Sequence, residues 1–147
     1  MAVKIDKIHF DLIQAYGEEA YPDECCGFLL GNVRNGSKDV LATMPAFNSQ
    51  TADEKYHRFL ITSEAYLQCE KFAKERGLDI VGFYHSHPNA EARPSAYDVE
   101  HGWPWYSYVI ISVKNNKAAD VTSWVLEDDR SQFKPENIII INNEENG

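Results

Sequence analysis

The segment Asp79-Ile80-Val81-Gly82-Phe83-Tyr84-His85-Ser86-His87-Pro88 runs apolar for five residues, turns polar at two histidines and stops at a proline. Its first half is too apolar and too rich in β-formers for a surface loop, so it reads as a strand. Successive strand side chains point to opposite faces, so His85 and His87 share one face and Ser86 takes the other. Pro88 ends the strand and 89–94 reads as a loop. Ser95 to His101 then reads as a short helical turn.

The rest of the chain is organised outward from this strand. Upstream, Ser63 reads as the N-cap of a helix with Glu64 in its first turn, where the helix dipole favours an anion. Ala65, Tyr66, Cys69, Phe72 and Ala73 form its apolar face, and Gly77 supplies the stop. Cys69 is therefore expected in the core. Asp39–Phe47 and Tyr56–Ile61 read as strands, as does the apolar run Cys25–Leu30 closed by Gly31. Lys7–Ala20 places Leu12, Ile13, Tyr16 and Ala20 on one helical face and ends before Tyr21-Pro22. Val3–Ile5 gives a short first strand. Downstream, Tyr106–Val113 and Ala119–Leu126 pair as a hairpin through Lys114-Asn115-Asn116-Lys117, and Ile138–Ile141 is a last strand. Two substantial helices with six or seven strands make a mixed α/β domain over 1–141, followed by a polar tail at 142–147.

Composition narrows the function classes. A chain of 147 residues can bury one sizeable core. Its 14 Lys+Arg against 23 Asp+Glu give a net charge of −9, which disfavours nucleic acid or an anionic membrane as partner. No apolar run approaches the roughly 18 residues of a membrane span, and the first residues carry no signal-like apolar region. The three cysteines, Cys25, Cys26 and Cys69, include no CxxC pair and imply no disulfide framework. A cytoplasmic location is expected.

The chemistry-bearing residues are His85, His87 and Asp98. Two imidazoles and a carboxylate leave a fourth position open, as a catalytic zinc needs and a structural zinc does not. Asp98 follows His87 by eleven residues, enough for the loop to return it to the histidines. A zinc ion so held can lower the pKa of a water to about 7. A plainer reading stands beside this one. A lone His-x-His pair also occurs as two satisfied surface imidazoles, and Ser95-x-x-Asp98 is a capping box with Asp in place of Glu. Those roles are compatible, because a capping serine can still present its hydroxyl to a site.

Taken together, His85-Ser86-His87-Pro88-x6-Ser95-x-x-Asp98 resembles the signature of the JAMM (MPN+) zinc metalloproteases. Tyr21-Pro22-Asp23-Glu24-Cys25-Cys26-Gly27 resembles the family's second element, a Glu two residues before a Cys-Gly pair. The pattern is most similar to stand-alone prokaryotic members. The resemblance implies an MPN/JAB1-like, cytidine-deaminase-like architecture, with a curved, mostly antiparallel sheet flanked by two main helices. It implies that His85, His87 and Asp98 hold Zn2+, that Glu24 is the general base, and that Ser95 steadies the oxyanion. Spacing alone could not bring Glu24 to the metal.

The resemblance further implies a peptidase or isopeptidase that cuts after the Gly-Gly tail of a ubiquitin-like or sulfur-carrier protein. Two other readings are a non-catalytic MPN scaffold module and a zinc amidase acting on a small amide or peptide. Scaffold members lack parts of the zinc set, whereas all five positions are filled here. Cys25 and Cys26 are expected as packing rather than nucleophiles. His101 is expected at the surface. Trp103, Trp105, Tyr106 and Tyr108 are expected mainly as packing, with Trp103 or Trp105 placed to wall a substrate groove.

Overall fold

The computed structural model describes residues 2–46 and 61–142. In chain order the elements are β1 (Ala2–Asp6), α1 (Lys7–Ala20), β2 (Cys26–Arg34), β3 (Ser37–Ala46), α2 (Ser63–Glu75), β4 (Asp79–Pro88), α3 (Ala96–His101), β5 (Ser107–Lys114), β6 (Lys117–Leu126), β7 (Phe133–Glu136) and β8 (Ile138–Ile141). The strands form one sheet in the order β7-β6-β5-β4-β2-β3-β1-β8. Pairings β2·β3, β2·β4, β5·β6 and β6·β7 are antiparallel, while β4·β5, β1·β3 and β1·β8 are parallel. The sheet is strongly curled. Its edge strands β7 and β8 are separated in sequence only by Asn137, whose carbonyl accepts the Val3 N–H at 3.0 Å. The buried Lys38 of β3 reaches across the curl to donate to Ser107 Oγ of β5 at 3.1 Å and to the Trp105 carbonyl.

Two cores lie on opposite faces of the sheet. On one, Phe10, Ile13 and Tyr16 of α1 meet Val3, Val40, Val81, Tyr84, Val109 and Ile111. On the other, Cys69 and Ala73 of α2 meet Phe28, Leu30, Ile80, Phe83 and Tyr108. Cys69 is fully buried, as its place on the apolar helix face predicts.

Several boundaries differ from the sequence reading for local reasons. The N-cap of α2 is Thr62, whose side chain accepts the Ala65 N–H, and Ser63 is the first helical residue. Both hydroxyls suit a cap, and the β-region backbone of Thr62 decides between them. Strand β3 begins at Ser37, two residues earlier than expected, because the Arg34–Ser37 pairing closes a hairpin over Asn35 and Gly36, both at positive φ. The expected strand Tyr56–Ile61 lies outside the described residues except for Ile61, which is in no strand. Strand β7 has no clear sequence signal. Phe133-Lys134-Pro135-Glu136 carries a proline, tolerated there because β7 pairs with a neighbour on one side only.

Candidate active site

A bulge in β4 sets the geometry. Leu29 pairs with Gly82 and Leu30 with Ile80, so Val81 is an extra residue. Beyond it the faces alternate regularly: Tyr84 belongs to the α1 core and Phe83 to the α2 core. His85 and His87 therefore follow Phe83 on the α2 side, and Ser86 follows Tyr84 toward α1. Cys26 pairs with His85 in the neighbouring antiparallel strand. Continuing that register by two residues brings Glu24 opposite His87, onto the same face as both histidines. Glu24 is indeed buried, and one ligand atom each from Glu24, His85 and His87 lies within 4.8 Å of the other two.

Asp98 closes the group from another direction. Its Oδ2 is 3.4 Å from His85 Nε2 and 3.3 Å from His87 Nε2, and the two Nε2 atoms are 3.1 Å apart. The edge of a tetrahedron with metal–ligand bonds of about 2.0–2.1 Å is about 3.3–3.4 Å. This buried triangle therefore has the dimensions of one tetrahedral face, and the donor set fits a metal ion. His87 Nδ1–H donates to the Glu91 carbonyl at 3.0 Å, which leaves the Nε2 lone pair facing the cluster.

The loop at 89–94 that returns Asp98 is pinned by side chains of the flanking strands. Ser112 Oγ donates to the Ala90 carbonyl at 2.6 Å, and Thr122 Oγ1 donates to the Ala92 carbonyl at 2.6 Å. Asn89 Nδ2 donates to Tyr21 Oη at 2.7 Å, tying this loop to the one that carries Glu24. Asp98 itself sits in a capping box. Its N–H donates to Ser95 Oγ at 3.1 Å, and its Oδ2 accepts the Ser95 N–H at 2.8 Å. Both readings of Ser95-x-x-Asp98 thus coexist in one structure. Ser95 Oγ is an acceptor in the box, so its O–H remains able to donate.

Charge follows from this packing. Burial works to raise the Asp98 carboxyl, but the interactions with His85 and His87 outweigh it and hold the group well below the usual carboxylate range. Burial lowers His85, which favours the neutral ring a metal requires. Burial also pulls on His87, yet its hydrogen bonds to Asp98 and the Glu91 carbonyl leave it raised. Cys25 and Cys26 do not supply a nucleophile. Burial pushes their thiols up to about 11 and about 12.

Ser86 is a contributor that the sequence reading left without a role. It is fully buried, and its Oγ accepts the Cys25 N–H at 2.8 Å while its own N–H donates to the Cys25 carbonyl at 3.1 Å. The signal was its parity: the residue between two paired histidines must face the opposite side, where α1 approaches through Gly17. His101 is exposed, stacks on Tyr97 with ring centroids 4.0 Å apart, and bonds the Tyr97 carbonyl through Nδ1 at 3.0 Å. Trp103 and Trp105 are 62% and 44% exposed, while Tyr108 is buried. Trp103 lines a cleft of about 780 Å3 that Asp98 also borders. Among the described residues no helix is long and apolar enough to cross a membrane.

Comparison with known proteins identifies the family. A family model described as prokaryotic homologs of the JAB domain matches residues 6–127. The desampylase of Haloferax volcanii is 37% identical over 92 residues, spanning 62% of this chain and 63% of that protein. The CysO-cysteine peptidase of Mycobacterium tuberculosis is 27% identical over 136 residues, or 90% of each chain. A solution structure of a Desulfitobacterium hafniense protein superposes with a TM-score of 0.82 at 27% identity, covering 95% of this chain and 93% of the other. A JAB1/MPN domain protein from Archaeoglobus fulgidus shares the fold, with a TM-score of 0.55 at 15% identity over 95% and 97% of the two chains. The match runs from the last residue of β1 to the residue after β6, and so takes in Glu24, both histidines, Ser95 and Asp98: this chain belongs to the prokaryotic homologs of the JAB domain.

Proposed function

We propose that this chain is a zinc-dependent peptidase or isopeptidase that hydrolyses the amide bond after the C-terminal Gly-Gly tail of a ubiquitin-like or sulfur-carrier protein in the cytoplasm. One observation carries the proposal: Glu24, His85 and His87 form one buried group, and Asp98, from a third segment, meets both histidines. The names of the two similar enzymes, a desampylase and a CysO-cysteine peptidase, support the reaction class.

In this reading His85, His87 and Asp98 hold the zinc through the 3.1–3.4 Å triangle of Nε2, Nε2 and Oδ2 atoms. When bound, zinc supplies Lewis acidity that makes a water nucleophilic near neutral pH. Asp98 contributes its carboxylate in ionised form, consistent with its depressed carboxyl. Glu24 is the fourth member of the cluster and acts as general base: its carboxylate takes a proton from the attacking water and delivers it to the leaving amine. Ser95, whose Oγ accepts in the capping box and keeps its O–H to donate, would steady the oxygen that becomes negative as the amide carbon turns tetrahedral. The flexible glycine tail suits a recessed site because it can lie extended along a strand edge.

The test is to incubate zinc-loaded protein with tail-extended carrier proteins and detect product by mass. Release of the intact carrier ending in Gly-Gly is expected. Failure to cleave any carrier with zinc bound contradicts the substrate assignment.

A further inference from the structure

The cleft beside Asp98 is lined by Tyr66, Phe83, Tyr97, Trp103, Tyr106 and Tyr108. Its volume of about 780 Å3 lies in the range of small-ligand sites, about 300–1,000 Å3. That space takes a short peptide and not a folded protein. Among the described residues Arg130 is the only Lys or Arg that lines it. The guanidinium lies over the Trp103 ring, 5.1 Å from its centroid. It makes one long bond, 3.5 Å, to the Glu100 carbonyl, and no described carboxylate pairs with it. Most of the five donors of its fork are therefore uncommitted. The backbone around it is fixed, because the Arg130 N–H donates to the Glu127 carbonyl at 2.8 Å in a turn with φ of 63°.

Asp98 and Arg130 frame the same space. Tyr108, whose hydroxyl accepts the Trp103 N–H at 2.9 Å, interacts with the charges of both. In a chain of net charge −9, an exposed guanidinium stacked on Trp103 at the rim of an aromatic cleft, with free donors, is a local exception. It suits an anion carried on an otherwise uncharged fragment. A planar fork binds a carboxylate through two parallel bonds.

We propose that Arg130 receives the free C-terminal carboxylate of the leaving group, so that this chain releases an amino acid or a peptide of a few residues from the carrier tail. This rests on the hydrolytic reading above and specifies its substrate. The amide C–N bond after the glycine tail breaks, the water oxygen joins the glycine acyl carbon as a carboxylate, and both water protons leave on the amine. Asp98 borders both the metal cluster and the cleft, so an extended leaving group, at about 3.3–3.6 Å per residue, passes from one into the other. An isopeptide-linked lysine of a folded protein offers the cleft only an aliphatic stem and no carboxylate.

The test uses zinc-loaded full-length protein and carriers with one, two or three residues after Gly-Gly, each made as the free acid and as the carboxamide. The expected result is a preference for the free acid in kcat/KM of about ten- to hundredfold, the range of a hydrogen-bonded charge. Arg130→Gln should erase the preference, and Arg130→Lys should keep part of it. Equal rates for acid and amide, or a preference that survives Arg130→Gln, would overturn the proposal. Cleavage of neither substrate contradicts the hydrolase reading instead. In that event the metal-free protein still decides the matter, through intrinsic tryptophan fluorescence during titration with acetyl-Gly-Gly-Ala as acid and as amide. Tighter binding of the acid, lost in Arg130→Gln, supports the assignment, and equal binding overturns it.

Discussion

Ser86 Oγ accepts the Cys25 backbone N–H at 2.8 Å, joining residues 61 apart in sequence. The bond fixes the backbone beside Glu24 to the strand that carries both histidines. Ser86→Ala would leave the Cys25 N–H without its partner, at a stability cost of about 1–3 kcal/mol. Displacement of Glu24 by a fraction of an ångström to an ångström should lower kcat by about tenfold to a hundredfold. Zinc content should stay unchanged, and Ser86→Thr, which keeps the hydroxyl, should restore most of the rate. Metal analysis beside steady-state kinetics of the two variants checks this.

Gly27 is where the Tyr84 ring crosses β2. A Cβ there would lie 2.3 Å from Tyr84 Cζ, and that ring is fully buried. Gly27→Ala should therefore cost about 1–3 kcal/mol by overpacking, seen as a lower Tm and urea midpoint. A variant as stable as wild type would mean the Tyr84 ring can shift freely.

Ser95 has two separable duties. As the cap of α3 it accepts the Asp98 N–H, and its loss should cost about 1 kcal/mol of stability. As an oxyanion donor it should be worth about 10²–10³ in kcat. Ser95→Ala should therefore show a large rate loss with a small stability loss. A stability loss alone would leave the serine as a cap only.

The cysteines should be inert near neutral pH. Burial places Cys25 and Cys69 at about 11 and Cys26 at about 12. Thiolate is the minor form below those values, so alkylation of the native protein at pH 8 should be slow. It should accelerate as pH rises toward 11 or when the chain is unfolded in urea. Rapid modification at pH 8 that tracks loss of activity would revive a thiol mechanism.

Much of the site was legible because it lies on a strand. Alternation put His85 and His87 together, and the gap to Asp98 was long enough for its return. Glu24 could be reached only through family resemblance, since its position depends on the pairing of Cys26 with His85, a long-range register that local patterns do not encode. The Val81 bulge, which determines the core that each β4 residue joins, was equally invisible. Arg130 lies in a turn after β6 and meets Trp103 because the β5·β6 register, Ser107 opposite Val125, brings the segment before β5 beside the turn after β6. The helices were read to within a residue because capping and apolar periodicity are local. Strand β7 was missed because a four-residue edge strand with a proline leaves little periodicity to read.

Zinc stoichiometry measured beside turnover for wild type, Glu24→Gln and Asp98→Ala tests the central claim most directly. His85, His87 and Asp98 as ligands with Glu24 as base predict one zinc in wild type and in Glu24→Gln, little in Asp98→Ala, and turnover in wild type alone. Full zinc in Asp98→Ala, or loss of zinc in Glu24→Gln, would contradict it, the latter by making Glu24 a ligand in Asp98's place.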